Sequence, residues 1–261
     1  MNTIDLIHQH RSIRKYKADP IPAELLDEIL QAGIRTSSSG NMQTYSIIVT
    51  QDQEKKKKML SPHLNQRMVV DAPVFLTFCA DFYRMRRWLR LSDAPDNFDN
   101  FFAFMVAAID AVLVSQTVAL AAESKGLGIC FLGSTFANAD QIGEILDLPE
   151  SVVPITGFSL GYPDEDPSLR DRLPASGLIH KEVYQHFSDE DILEIYKERE
   201  DFGWKRYLAS GRIKKMVQEK GVRNLAQLYT IIKYTQKDHQ EHSNKLLKYL
   251  VQQDFMNNHP G

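Results

Sequence analysis

The segment 101–122, FFAFMVAAIDAVLVSQTVALAA, constrains this chain more than any other. It is apolar around nearly the whole circumference of a helix. A helix of that kind must be covered on all sides, by a protein core, a partner subunit or a bilayer. Asp110, Ser115, Gln116 and Thr117 interrupt it, and no basic residue lies close before it. Both features argue against a bilayer. The expectation is a central core helix, or one buried at a subunit interface, ending at Lys125-Gly126, a common helix stop.

The rest of the chain supplies partners for such a helix. A short helix is expected near 3–10, and a second from Pro22 to about Gly33 with Leu25, Leu26, Ile29 and Leu30 as its apolar stripe. YSIIVT, APVFLTFCAD, GICFLGS and VVPITGFSLGYP read as strands, the second buried on both faces. Helices are expected at about 53–60 and within ANADQIGEILDLPE, the latter opened by Asn138 or Asp140, and 82–100 reads as irregular. Strands alternating with helices define an α/β or α+β pattern, helices on a small sheet. After Pro163 the character changes. From about 181 to 261 the sequence is helical, polar and too poor in apolar residues to make a second core, and reads as an arm around the main body or a partner. The expected organisation is a core at 1–180 and an arm at 181–261.

Charge and composition narrow the classes further. A net charge of −3, with 43% apolar and 25% charged residues, fits an ordinary soluble chain rather than a nucleic-acid binder. The lysine run 55–58 reads as a solvated helix face. The two cysteines, Cys79 and Cys130, lie in apolar strands and read as buried thiols. No metal spacing is present, and His239 and His242 on a polar helix read as solvated. The N-terminus has no hydrophobic signal core, so a cytoplasmic location is expected.

Four stretches carry chemistry. His10-Arg11-Ser12-Ile13-Arg14 follows the first helix. If the helical turn continues, Arg11 and Arg14 reach the same side and present guanidinium forks suited to phosphate; otherwise they are a basic helix end. Thr36 to Gln43, TSSSGNMQ, crowds hydroxyls, a glycine and amides between a helix and a strand, as donors for a ligand rich in acceptors or simply as a connection. Gly126-Leu127-Gly128 with Phe131-Leu132-Gly133-Ser134 enters a strand from a helix, the reverse of the dinucleotide fingerprint, so a Rossmann domain is disfavoured. Gly133-Ser134 at a strand end still lets a flat ligand approach the backbone. Arg170 and Arg172 point the same way if extended, as half of an anion clamp or as a surface loop paired with Asp171. No nucleophile elbow, Walker loop or zinc-protease pair is present. Jointly the four stretches describe a site for a phosphorylated planar cofactor.

The order HRSIRKYK, TSSSGNMQ, GLGxxxLGS after a long apolar helix, then GYPDEDPSLRDRLP resembles the flavin-dependent nitroreductase family. The likeness is to its oxygen-insensitive, NADPH-preferring branch, which includes flavin reductases. It covers residues 1 to about 190. The resemblance implies an α+β three-layer sandwich, a small mainly antiparallel sheet flanked by helices, in an obligate homodimer with a C-terminal helical arm wrapping the partner. It implies bound FMN, contacted by His10, Arg11, Ser12 and Arg14, by Ser38, Ser39 and Gln43, by Gln66, by Phe131, Leu132, Gly133 and Ser134, and by Arg170 and Arg172. Relatives often have Lys then Arg at the last pair. NADPH or NADH is the implied co-substrate, with Arg206, Arg212, Lys214 and Lys215 as candidates for the NADPH 2′-phosphate. The implied activity is ping-pong hydride transfer to nitro compounds, quinones or flavins, carried by the flavin with no catalytic side chain, no metal, no nucleic acid and no membrane. Dehalogenation or another flavin chemistry on the same scaffold, and non-catalytic flavin sensing, are the alternatives.

Overall fold

The computed structural model describes residues 2–257. Strands β1 (Tyr45–Thr50), β2 (Val74–Asp81), β3 (Gly128–Phe131) and β4 (Val152–Gly161) form one antiparallel sheet in the order β1-β2-β4-β3. β2 is buried along its whole length, as its unbroken run of apolar residues requires. It pairs with β1 on one side and β4 on the other, opposing Leu76 to Val49 and to Phe158.

Helices cover both faces of the sheet. On one lie α2 (Ala23–Gly33), the long α6 (Phe101–Ser124) and the end of α12 (Gln236–Gln252), sharing a core that includes Leu26, Ile29, Leu76, Phe78, Ala107, Val114, Val118, Phe158, Tyr249 and Leu250. On the other lie α3 (Gln53–Met59), α4 (Met68–Asp71), α7 (Ser134–Ala137) and α8 (Ala139–Ile145), over a second cluster with Met59, Met68, Phe75, Cys130, Leu132 and Ile142. The fold is thus an α+β three-layer sandwich, completed by α1 (Thr3–His8) and α5 (Tyr83–Leu91). Cys79 and Cys130 are buried free thiols.

The chain forms two compact units. One runs to Ser168 and resumes at His242; the other is 169–241. The second unit holds α9 (Asp189–Leu208), α10 (Gly211–Glu219), α11 (Leu225–Leu228) and the first turn of α12. Against expectation it has a small core of its own, because a few apolar and aromatic residues suffice: Val217, Val222 and Leu228 are buried beside Trp204, Tyr207 and Ile213. Residues 258–261, the tip of the expected arm, lie outside the described residues.

Four local expectations need correction. Residues 83–91 are helical, not irregular: Arg86 is buried and bonds Asp96 (2.8 Å), Ser151 (2.7 Å) and Asp254 (2.6 Å), the last far away in sequence. The lysine run is not uniformly solvated. Lys56 is fully buried beside Met59, and its Nζ donates to the Ala72 carbonyl at 2.6 Å. Helix begins at Asp189 rather than 181, where Ser188 and Asp191 form a reciprocal capping box. Asn138 precedes α8 without capping it, because its side chain donates to the Pro62 carbonyl at 2.8 Å.

Three of the polar breaks in α6 have partners: Asp110, fully buried, accepts from Ser39 and Thr44, Ser115 donates to the Val112 carbonyl at 2.8 Å, and Thr117 bonds the Thr36 hydroxyl at 3.0 Å. The opposite side of the helix is apolar and exposed: Phe102, Met105, Ile109, Val112 and Leu113 stand 40–78% open.

Candidate functional site

The first cluster is built on the stretch after α1. The helix stops at His8, so the helical turn that would have set Arg11 and Arg14 on one side does not continue. The chain instead runs extended beside β3, with Ser12 bridging Ile129 and the Ile13 N–H donating to the Ile129 carbonyl at 2.8 Å. Ile13 is buried, and its close approach requires glycine at 128, where a Cβ would stand 2.6 Å from the Ile13 Cγ1. Gly126, at φ +78°, makes the turn from α6 into β3. The Tyr16 hydroxyl, bonded to the Ile13 carbonyl (2.5 Å) and to Ser159 Oγ (2.7 Å), fixes the far end. Desolvation at that position raises the tyrosine pKa well above its usual value.

This stretch gathers anions. The carboxylate of Glu165 accepts the successive backbone N–H groups of Arg14 (2.6 Å) and Lys15 (3.1 Å), and Asp166 pairs with the Arg11 guanidinium. Successive N–H groups aimed at one oxygen make an anion-binding nest. The Nε of Arg11 is buried without a partner, so donor capacity remains. His10 bonds Glu123 at 2.6 Å. His10, Arg11, Glu123, Glu165 and Asp166 line a cavity of about 290 Å³ with Gly126, Leu127 and Gly128.

The second cluster lies at the other end of β3. Phe131, Leu132, Gly133 and Ser134 lead from the strand into α7. Nothing lies within 4 Å of the position a Cβ would take at Gly133, so the backbone there is open to a flat ligand. Beneath it, His63 is fully buried, with Nδ1 2.9 Å from Ser134 Oγ and its ring 4.9 Å from that of Phe75. The Gln66 side chain donates to the His63 carbonyl at 3.1 Å. His63 and the Asn138–Pro62 bond therefore tie the loop carrying Gln66 to the strand end carrying Gly133. Burial pushes the His63 pKa down to about 4, so the ring is neutral at pH 7.

That shift has a stability consequence. The unfolded chain binds a proton at His63 below its ordinary pKa of 6.5, while the folded chain resists protonation down to about 4. Stability present above pH 6.5 is therefore lost progressively as pH falls from 6.5 to 4, by about 3 kcal/mol. Denaturant titrations of wild type and His63→Gln from pH 7 to 4 should show the wild-type advantage shrinking by that order; a constant difference would refute the assignment.

The third cluster is the loop between α2 and β1. Ser38, Ser39 and Gln43 lie on a tight turn with three left-handed residues, Gly40 (φ +56°), Asn41 (φ +55°) and Gln43 (φ +49°). Two of them carry side chains, so the turn is strained and needs external support. Asp110 provides part of it, accepting from the Ser39 N–H at 2.9 Å and from the Thr44 hydroxyl at 2.9 Å. Arg84 provides the rest, donating to the carbonyls of Gln43 and Tyr45, both at 2.9 Å, and to Asp81 at 2.7 Å. Clefts of about 840 and 500 Å³ flank the loop.

Arg170, Arg172 and the residues expected at the NADPH phosphate belong to the second unit. Arg172 Nη1 donates to the Asp171 carbonyl at 3.0 Å. The Asp171 carboxylate bonds Arg199 at 2.6 Å and Arg206 at 3.4 Å. Desolvation works against its ionisation, yet these arginines hold its pKa below the usual carboxylate value. Arg212, Lys214 and Lys215 lie on α10, where Lys215 pairs with Glu219 at 3.7 Å.

Sequence reading did not assign Asp110, His63, Arg84, Tyr16 or Glu165 a role in these clusters. Only Asp110 gave a signal, as a lone carboxylate in an apolar helix.

A small antiparallel sheet between helical layers, with an anion-gathering segment and an open strand end along β3, defines a class of cofactor-binding sandwich. The chain belongs to the nitroreductase family, whose pattern matches residues 7–162. It is 38% identical to the NADPH-flavin oxidoreductase of Vibrio harveyi over 192 residues, 73% of this chain and 78% of that protein. It is 34% identical to the FMN reductase (NADPH) of Bacillus subtilis over 210 residues, 76% of this chain and 84% of that one. The solved NfrA1 nitroreductase from B. subtilis superposes with a TM-score of 0.85 at 28% identity, covering 98% of this chain and all of its own.

Proposed function

We propose that this chain is an FMN-dependent NAD(P)H oxidoreductase that reduces nitro compounds, quinones or flavins by ping-pong hydride transfer. The observation that carries the reading is the course of residues 10–16 along β3. It sets an anion-gathering segment at one end of a strand whose other end is open backbone at Gly133. A planar ring system with a phosphate tail matches those two requirements. Family membership and the NADPH-linked flavin and FMN reductases among its relatives support the activity.

When bound, FMN supplies the hydride-accepting and hydride-donating chemistry. The chain supplies position and electrostatics. Arg11, Arg14 and the backbone beside them would hold the phosphate, with His10 and Ser12 contributing from the same segment. Phe131, Leu132, Gly133, Ser134 and Gln66 would border the ring, and Ser38, Ser39 and Gln43 would offer hydroxyl and amide donors. Because the Ser39 N–H is already taken by Asp110, Ser39 has its hydroxyl to offer. Arg170 and Arg172 are proposed as further phosphate ligands, and Arg206, Arg212, Lys214 and Lys215 as contacts for an NADPH 2′-phosphate. A homodimer joined through the exposed side of α6 and embraced by the C-terminal arm belongs to the same reading, as does a cytoplasmic location for a chain whose two cysteines are free.

Purified protein is expected to be yellow, or to turn yellow on adding FMN, and to bleach anaerobically with NADPH or NADH. Recovery of colour with a nitroaromatic or a quinone completes the two half-reactions. A protein that takes up no FMN and oxidises neither nicotinamide would refute the reading.

A further inference from the structure

We infer that Asp110 is a positioning residue for the flavin ring, acting through the Ser38–Gln43 turn and resting on the functional reading above. Its place is unusual. It is the one fully buried ionisable residue of α6, the helix's other carboxylate, Glu123, being partly exposed and paired with His10. A buried carboxylate is costly unless its oxygens are satisfied. Here one oxygen accepts the Ser39 N–H at 2.9 Å, and the other accepts the Thr44 hydroxyl at 2.9 Å and the Thr44 N–H at 3.3 Å. Ser39 and Thr44 are the two ends of the strained turn. One carboxylate therefore closes the loop from beneath, across a gap that the intervening left-handed residues Gly40, Asn41 and Gln43 must span.

The arrangement selects a carboxylate. All three contacts on Asp110 come from donors, so an acceptor-only side chain satisfies them and an amide would turn its NH₂ towards at least one N–H. An apolar replacement would leave the buried Thr44 N–H and hydroxyl, and the part-buried Ser39 N–H, without this partner. The Thr117–Thr36 bond anchors the start of the same connection to the same helix. Thus two of the polar breaks that interrupt the apolar helix are the points where it holds this connection.

The consequence is specific to the ring. The turn would present Ser38, Ser39 and Gln43 to acceptors on the flavin ring rather than to the phosphate. Loosening it should weaken FMN and riboflavin by the same factor.

The test uses the full chain with Asp110→Asn, Thr44→Val and Thr44→Ser. Fluorescence titration of apoprotein with FMN and with riboflavin should give dissociation constants raised at least tenfold for both ligands in Asp110→Asn and at least threefold in Thr44→Val. Thr44→Ser, which keeps the hydroxyl, should bind within twofold of wild type. Melting temperatures of the apoproteins separate this from a purely structural role, which would lower them and leave flavin affinity at 15 °C unchanged. Unchanged affinity in Asp110→Asn and Thr44→Val, with wild type binding FMN, overturns the positioning role alone. If Asp110→Asn does not fold, the Thr44 pair decides. Failure of wild type to take up FMN overturns the functional reading, and this inference with it.

Discussion

Replacing Arg11 and Arg14 together by alanine is expected to weaken FMN binding about a hundredfold to ten-thousandfold, while riboflavin affinity stays within about threefold. A hydrogen bond to a charged group contributes roughly 1.5–3 kcal/mol, and two such groups lost together give about 3–6 kcal/mol. Riboflavin lacks the phosphate, so it reports on the ring alone. The pattern is the converse of that expected for Asp110→Asn, where both ligands weaken alike. Parallel loss of both ligands in the arginine variant would show that residues 10–16 matter through folding rather than through phosphate.

Asp166 supplies a control with the opposite sign. It pairs with Arg11 and its side chain is 86% exposed. An exposed pair of this kind is worth about 0–1 kcal/mol. Asp166→Asn should therefore tighten FMN by at most about fivefold, a gain that misfolding does not produce. The same titration, run alongside the arginine variants, reads it out.

The arginines also show where sequence reasoning stops. Their residue types pointed to an anion, but bringing them together depended on a helical turn continuing past the first helix. The structure sets them on an extended segment because Ser12 and Ile13 pair with Ile129, and pairing with a strand more than a hundred residues away leaves no local trace. Local patterns did better. The apolar run of β2, the stripe of α2 and the stop at Gly126 follow from periodicity and turn chemistry, and each appears where the sequence puts it. The 83–91 helix was hidden for the opposite reason. Its buried residue is an arginine, satisfied by Asp96 and Asp254, so no apolar stripe announced it. Lys56 misled in the same way, as a lysine whose ammonium is satisfied by backbone carbonyls inside the core. His63 gave no signal: its role depends on Ser134, brought close only by the packing of α7 beside the 62–66 loop.

The long apolar helix makes the other large prediction. Its inner side is used up by the sheet and α2, yet Phe102, Met105, Ile109, Val112 and Leu113 continue as an exposed apolar stripe at helical spacing. A stripe of this kind marks a surface that another molecule covers, and in the homodimer proposed above a second copy of the chain would cover it symmetrically. Each large side chain buried there contributes about 1.5–3 kcal/mol. A single charge at the centre removes that contribution and adds the cost of an unpaired buried carboxylate, together several kcal/mol. Ile109→Glu is therefore expected to weaken self-association by at least a hundredfold and to give monomer at micromolar concentration in size-exclusion chromatography with light scattering. Lys58→Glu, on the exposed side of α3 away from this stripe, should leave the wild-type mass unchanged. Because Ile109 already faces solvent in the single chain, at 51% exposure, the monomer should keep its helical circular dichroism. A dimer of unchanged affinity would place the interface elsewhere and leave the apolar stripe of α6 to a different partner.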